Sequence, residues 1–350
     1  MQYGGRGRRP RRTAFLPFLS VSFFRTAPPT EFMKVPLRRS GAASHAGPAS
    51  TRRTGLVAPT QARGVVAPAT DAANLPAPAD YSAFLHTQLP QQGLLVAPHR
   101  LNGERVWLKK AGPRHGMARY RLLGLLAGLF RLDVLRPVPN PGGEAAVAIE
   151  ARRLRQLADA GLRVPQVLAE QADGILISDL GGAGAQMLQE RLEQAAAAGP
   201  APLLAAWREG LDAIADVHAH GAYLSQAFAR NMVRCADGVV GFIDFEDDPG
   251  ETLSLVECQV RDWLSYLHST AALVHAAAPH AAGDHWQQVL GGADDEVRER
   301  IAQSAQRMRW LRRLPRSRRW GRDTQRVRAV ARLLTRWYAP AAMPLQTTRL

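Results

Sequence analysis

Two oxygen-bearing side chains stand at the two ends of a short predicted hairpin. Asn231 precedes one apolar run, Asp244 follows the next, and the turn sequence 236–238 lies between the runs. Because the strands of a hairpin are antiparallel, residues just outside both strands become neighbours. An amide oxygen beside a carboxylate suits Mg²⁺, which takes few protein oxygens and adds phosphate and water. The pattern predicts a Mg²⁺ site at Asn231 and Asp244; the alternative is a solvated acidic turn that continues through 246–248.

A second pair of candidate residues lies earlier in the chain. In the predicted helix 144–160, Glu150 shares a face with Leu154, so its carboxylate points at the core and needs a cationic partner. The preceding predicted strand offers Lys109, on the same face as Trp107. We expect a buried Lys109–Glu150 ion pair; alternatively, Glu150 reaches solvent and Lys109 lies on the surface. A lysine held by a glutamate beside a metal site is suited to phosphoryl transfer.

Composition makes Lys109 unusual. The chain has 350 residues and 45 cationic side chains, of which 42 are arginine and three are lysine. An ammonium is a compact point charge and a guanidinium is a planar fork, so a lysine in such a chain indicates a specific chemical requirement. The only cysteines, Cys235 and Cys258, predict no disulfide framework and are typical of a reducing compartment.

The net charge of +15 is unevenly distributed: residues 1–80 carry +9, residues 297–350 carry +13, and residues 81–296 carry −7. A nucleic-acid-binding core would itself be basic, so the acidic body argues against that class. The composition of 1–80 predicts a disordered basic extension, with a start at Met33 or later as the alternative. Residues 11–24 resemble a twin-arginine export signal only loosely, so we expect a cytoplasmic protein.

Turn signals and periodicity predict the elements that must position these residues. In chain order they are a hairpin in 94–110 around Asn102-Gly103, an apolar helix in 117–143, a helix over 144–160, strands in 165–170 and 174–180, a helix over 202–221, the hairpin 232–243, and helices from about 253. This order predicts an α+β fold with a small strand-rich part followed by a larger helical part. No segment reaches the roughly 20 apolar residues that span a bilayer.

Two amphipathic helices are predicted in the arginine-rich C-terminal region. Their apolar stripes are Val297, Ile301, Met308, Leu311 and Leu314 on the first, and Val327, Val330, Leu334 and Trp337 on the second. The stripes either pack on the helical part, leaving a solvated arginine face, or dock on an anionic membrane surface or a phosphorylated glycolipid. Few aromatic residues interleave with the arginines, which disfavours nucleic acid as the partner.

Taken in order, these motifs resemble the eukaryotic-type protein kinase fold, and especially its bacterial branch of lipopolysaccharide (Kdo) kinases and small atypical kinases. The resemblance covers about 93–275. The matching segments are "VWLKK" (the lysine strand), "EARRLRQLADAGLRVPQVL" (the glutamate helix), "ILISDLGG" (the hinge), "VHAHG" (the helix end before the catalytic loop), "ARNMV", "IDFE" and "RDWLSYL". The resemblance implies a two-lobed fold with an N-lobe over 81–180 and a C-lobe over 181–350, and ATP and Mg²⁺ as cofactors.

The resemblance also implies a role for each matching residue. Lys109 would hold the ATP phosphates, and Glu150 would hold Lys109. Asn231 and Asp244 would bind Mg²⁺, with Asp244 in the catalytic machinery. Asp262 of "RDWLSYL" would brace the catalytic loop.

Two departures from the kinase pattern leave the function open. Gln226 occupies the position of the catalytic aspartate, and a glutamine cannot act as a general base, although it can orient a hydroxyl. The stretch 90–98 has one glycine and is no glycine-rich loop.

These departures leave three functions to distinguish. The first is an ATP-dependent phosphotransferase acting on a hydroxyl of a small molecule, a cell-envelope sugar or glycolipid, or a protein Ser/Thr. The second is a pseudokinase that binds nucleotide as a scaffold, peripheral to the inner membrane. The third is a basic RNA- or membrane-binding module.

Overall fold

The structure, a computed structural model, describes residues 78–113 and 142–338. Of the predicted disordered extension over 1–80, residues 1–77 lie outside the described residues, whereas residues 78–80 are not disordered but begin a helix. Nearly all of the predicted apolar helix in 117–143 also lies outside the described residues.

Along the chain, a strand-rich part is followed by a mainly helical part. The helices are α1 (Pro78–Gln88), α2 (Gly143–Asp159), α3 (Leu188–Ala198), α4 (Pro200–Ala219), α5 (Leu255–Ala277), α6 (Pro279–Leu290), α7 (Asp295–Met308) and α8 (Arg322–Trp337). The strands are β1 (Val96–Leu101), β2 (Glu104–Lys110), β3 (Val167–Gln171), β4 (Gly174–Ser178), β5 (Gln186–Met187), β6 (Met232–Arg234) and β7 (Val240–Phe242). Short 3₁₀ turns are Ala229–Asn231, Pro249–Glu251, Arg309–Arg313 and Arg318–Trp320.

The strands form two antiparallel sheets. The larger has four strands in the order β1-β2-β4-β3, and the smaller has three in the order β5-β6-β7. With the helices that follow, this is a mixed α+β structure, as the sequence predicts.

The β1–β2 hairpin is fixed by its turn residues. Asn102 and Gly103 both have positive φ, 52° and 87°, the conformation that a two-residue type I′ turn requires and that asparagine and glycine adopt at low cost. Leu101 pairs with Glu104, and the register continues to Val96 opposite Lys109. The turn therefore decides where Lys109 lies in the sheet.

Strand β2 is buried on both faces. Val106 and Leu108 pack in a cluster with Leu85 of α1, whereas Trp107 packs in the main core with Leu154 of α2. Because side chains alternate along a strand, Lys109 shares the α2 face with Trp107. Helix α1 was not predicted, and it covers the face of the sheet opposite α2.

The helical part is organised around α4 and α5. The hydroxyl of Tyr266 donates a hydrogen bond of 2.8 Å to the Trp207 carbonyl. Gly210 permits this approach, since a Cβ there would lie 2.3 Å from the Tyr266 oxygen. On α4 the core-facing residues include Leu203, Trp207, Leu211 and Ile214, which are fully buried, whereas Leu204 is only partly buried.

The apolar stripes of the C-terminal helices pack into the main core. Val297, Ile301, Val330 and Leu334 are all buried. Helix α7 ends at Met308, so the predicted stripe continues in the 3₁₀ turn and the loop that follow. The packed alternative is the one observed. Within the described residues, no helix has the length and apolarity needed to cross a membrane.

Candidate functional site

The β6–β7 hairpin brings Asn231 and Asp244 together. Met232 pairs with Phe242, and the Ile243 amide donates a hydrogen bond of 3.0 Å to the Asn231 carbonyl. The two residues therefore flank the open end of the hairpin as predicted.

The predicted ion pair between Lys109 and Glu150 is confirmed. Strand β2 supplies Lys109, helix α2 supplies Glu150, and the Nζ–Oε1 distance is 2.6 Å. Each residue is only 3% exposed. Two further carboxylates approach the same ammonium: Glu246 Oε1 at 3.4 Å and Asp244 Oδ1 at 4.0 Å. We call Glu150, Asp244 and Glu246 the carboxylate cluster.

Burial and the charges of the carboxylate cluster shift the pKa values of Lys109, Glu150 and Asp244. Burial opposes the charge on Lys109, but Glu150, Glu246 and Asp244 outweigh it and raise the pKa of Lys109. Burial raises the pKa of Glu150, and the other two carboxylates add to this effect while Lys109 opposes it. Burial, followed by Glu246, likewise raises the pKa of Asp244. Three carboxylates face the Lys109 ammonium and the Arg230 guanidinium, so an excess of negative charge remains that favours an additional cation.

Asp244 adopts an unusual backbone conformation. Its φ is 74°, in the left-handed region that non-glycine residues seldom occupy and that often marks a functional position. The following Phe245 is buried in the core and holds this segment in place. The observed turn leaves Asp244 Oδ1 near Lys109.

Gln226 binds Asp247, an acidic residue to which the sequence patterns assign no role. Its Nε2 donates a hydrogen bond of 2.8 Å to Asp247 Oδ2, and its carbonyl accepts one of 3.1 Å from Asn231 Nδ2. Gln226 Oε1 and Asp247 Oδ1 are both buried, and neither has a hydrogen-bond partner among the described residues. Burial raises the pKa of Asp247 to about 7.

These two orphaned oxygens belong to the same hydrogen-bonded pair. A protonated carboxyl donates one hydrogen bond and accepts others. Protonation of Asp247 at Oδ1 would supply the donor that the Gln226 side-chain oxygen lacks. Buried acceptors that lack a donor are costly, so the pair favours a neutral Asp247.

The acidic run 246–248 is not a solvated turn, because each of its carboxylates has a separate partner. Glu246 approaches Lys109, and Asp247 binds Gln226. Asp248 accepts a hydrogen bond of 2.6 Å from the Tyr223 hydroxyl. Burial opposes ionisation of Asp248, but the Tyr223 hydrogen bond and nearby arginines lower its pKa overall. The solvated alternative for this run is therefore wrong.

Asp262 lies beneath the loop that carries Gln226. It is fully buried, and its Oδ2 accepts hydrogen bonds from the Leu224 amide at 2.8 Å and from His218 Nε2 at 3.1 Å. Helix α5 thereby fixes the loop backbone two residues before Gln226, which is the bracing position that the resemblance implies.

The segment before β1 is tied to β2 by side-chain hydrogen bonds. Gln92 Nε2 donates to the Leu108 carbonyl at 3.1 Å, and Lys110 Nζ donates to the Gln92 carbonyl at 2.9 Å. Leu94 and Leu95 are exposed. Lys110 thus has a structural contact, whereas the neighbouring Lys109 faces the carboxylate cluster.

The donor set limits the metal site that these residues can form. In the described part of the chain, no group of three or more histidine, cysteine, aspartate or glutamate side chains is arranged to hold a metal ion. A Mg²⁺ site here would use Asn231 and Asp244 and take its remaining ligands from phosphate and water, as Mg²⁺ commonly does.

A cavity of about 350 Å³ lies away from Lys109. Its lining includes Arg163, Glu209, Asp216 and Phe242, none of which belongs to the candidate site. This cavity is therefore separate from the candidate site.

Comparison with known proteins gives no family for the chain. No protein-family model matches it, and no curated protein is significantly similar to it.

Proposed function

We propose that the chain is an ATP-dependent phosphotransferase with a two-lobed, protein-kinase-like fold. The N-lobe would comprise residues 81–180 and the C-lobe residues 181–350. The observation that carries the proposal is the buried Lys109–Glu150 pair beside Asp244. Burying an ammonium and a carboxylate is costly, and a requirement to bind phosphate explains why a chain with so few lysines places one here.

The residues of the site fit ATP and Mg²⁺. Glu150 would orient Lys109, whose ammonium would donate hydrogen bonds to phosphate oxygens. Asn231 and Asp244 would hold Mg²⁺, whose charge offsets that of the transferring phosphoryl group. The excess of carboxylates around Lys109 supports this fit, since a divalent cation would relieve their repulsion. Asp262 would keep the loop of Gln226 in position.

The acceptor would be a hydroxyl of a small molecule, a cell-envelope sugar or glycolipid, or a protein Ser/Thr. The kinase resemblance supports a hydroxyl, and the cationic C-terminal region favours an anionic acceptor. The resemblance to lipopolysaccharide kinases places sugars and glycolipids first.

A specific observation favours a second candidate, a nucleotide-binding pseudokinase. An amide cannot take the proton of an acceptor hydroxyl, and Gln226 donates its Nε2 hydrogen to Asp247. Asp247 itself is 4% exposed and is held in the interior. Nucleotide binding through Lys109 would not depend on either residue.

Calorimetry with ATP, with and without Mg²⁺, tests the binding site that both candidates share. Wild type should bind ATP in a Mg²⁺-dependent manner, and both Lys109→Met and Asp244→Asn should weaken binding. Lys110→Met is the matched control, because Lys110 is the adjacent lysine and contacts a backbone carbonyl instead. A folded wild type that does not bind millimolar ATP would refute both candidates.

A second experiment separates turnover from binding alone. Gln226→Asp by itself would set two buried carboxyls side by side, which disfavours ionisation of both. Gln226→Asp/Asp247→Asn keeps one carboxyl and one amide but exchanges their positions. We would measure ATP hydrolysis and autophosphorylation of both variants and of wild type.

The outcomes assign the function. Activity in the double variant with none in wild type would identify the natural protein as a pseudokinase. Activity in wild type would support the phosphotransferase, with Gln226 orienting the acceptor.

A further inference from the structure

The region that joins α7 to α8 concentrates positive charge at the surface. From residue 300 to residue 322 the chain has nine arginines and no acidic residue. Seven of them are exposed: Arg307, Arg309, Arg312, Arg313, Arg316, Arg319 and Arg322. Within the described residues, none of the six exposed guanidiniums from Arg309 to Arg322 forms an ion pair with a carboxylate, whereas Arg298, Arg300 and Arg326 on the flanking helices do.

We infer that residues 307–322, which we call the arginine surface, form a docking site for an anionic lipid bilayer. This inference does not depend on the proposed phosphotransferase activity. It differs from insertion of an amphipathic helix, because the apolar stripes of α7 and α8 pack in or against the core. Attachment would be electrostatic, with each arginine near the surface contributing about equally.

An exposed tryptophan favours a bilayer over other polyanions. Trp310 is 41% exposed and lies between Arg309 and Arg312 in the 3₁₀ turn that follows α7. Tryptophan rings concentrate at the boundary between headgroups and acyl chains, and the neighbouring guanidiniums suit lipid phosphates. Binding of single-stranded RNA would require several aromatic side chains along a basic groove, which this short turn does not provide.

Sedimentation with vesicles of phosphatidylcholine, with and without phosphatidylglycerol, tests the inference on the full chain. Arg309→Gln/Arg312→Gln/Arg313→Gln removes three charges from the arginine surface. A control variant removes three exposed charges elsewhere, from arginines that are ion-paired: Arg105→Gln, Arg155→Gln and Arg163→Gln. The two variants have the same net charge, so they separate the position of the charges from their number.

We expect wild type to bind only the anionic vesicles. The arginine-surface variant should lose about a hundredfold in partition coefficient, and the control variant should lose much less. Equal losses in both variants would mean that net charge alone attracts the chain, and would overturn the inference. Unchanged binding of the arginine-surface variant, or tighter binding of wild type to single-stranded RNA than to anionic vesicles, would also overturn it.

Discussion

The carboxylate cluster and the arginine surface each contain several side chains of like charge, but those of the cluster surround a buried ammonium and those of the surface are exposed. The three carboxylates of the cluster lie around a single buried ammonium, and burial raises the pKa values of Glu150 and Asp244. Six exposed guanidiniums of the arginine surface, from Arg309 to Arg322, remain in water without carboxylate partners in the described residues. Burial, more than the number of charges, therefore decides whether a cluster affects folding.

The physical reason is the solvent. Water and salt screen exposed charges within about 10 Å, so neighbouring arginines repel one another weakly. Buried charges are screened much less and lose their hydration. The carboxylate cluster should consequently control stability and its pH dependence, while the arginine surface should control only association.

The largest expected effect is from Lys109→Met. Removing the ammonium leaves Glu150 buried beside two other carboxylates, and breaking a buried pair in this way costs about 3–5 kcal/mol. Urea unfolding near pH 7 measures the loss. Lys110→Met, on the same strand, should cost less than about 1 kcal/mol. Equal losses of unfolding free energy in the two variants would show that the Lys109 charge does not offset repulsion among the three carboxylates.

The next effect concerns Asp247 and pH. The folded carboxyl keeps its proton up to about pH 7, whereas its ordinary pKa is 3.8. The native state therefore binds more protons than the unfolded state between these values, and stability falls as pH rises from about 4 to about 7. The full contribution is on the order of 4 kcal/mol.

Asp247→Asn should remove this pH dependence, because an asparagine amide can donate to Gln226 Oε1 at every pH. Urea unfolding at a series of pH values would show a flatter profile than wild type. Asp212→Asn, at an exposed carboxylate, serves as the control. Parallel profiles for wild type and Asp247→Asn would mean that Asp247 is already ionised in the folded protein at low pH.

A smaller effect is expected from Asp244→Asn. The substitution removes one carboxylate from the carboxylate cluster, and asparagine tolerates the positive φ of this position well. Without ligands the variant should gain about 1 kcal/mol, as destabilised functional positions often do. Adding Mg²⁺ and ATP should raise the melting temperature of wild type and not of the variant. A variant that is less stable than wild type would assign Asp244 a structural role.

The smallest expected effect on stability is from the arginine-surface variant Arg309→Gln/Arg312→Gln/Arg313→Gln. Its free energy of unfolding should stay within about 0.5 kcal/mol of wild type, as for exposed side chains without specific contacts. The same urea unfolding measures it. A loss of more than about 2 kcal/mol would show that these arginines stabilise the fold. It would contradict the conclusion that only the buried carboxylate cluster affects stability.

Local signals determined much of this structure. The Asn102-Gly103 turn fixes the register of β1 and β2, and the alternation along β2 places Lys109 on the face of Trp107. The helical period of α2 puts Glu150 on the opposing surface, so their ion pair was predictable. The short turn at 236–238 likewise places Asn231 and Asp244 at one end of a hairpin. The α+β composition of the fold follows from the same patterns.

The tertiary structure alone decided the partners of the acidic run 246–248. Gln226 and Asp247 are 21 positions apart, and neither periodicity nor turn type relates one irregular loop to another. The positive φ of Asp244 redirects the chain at the point where the strand pattern ends. Burial of the C-terminal apolar stripes was one of two outcomes compatible with the sequence. Local patterns set which face a side chain takes within its own element, whereas packing between distant elements sets which charges meet and how deeply they are buried.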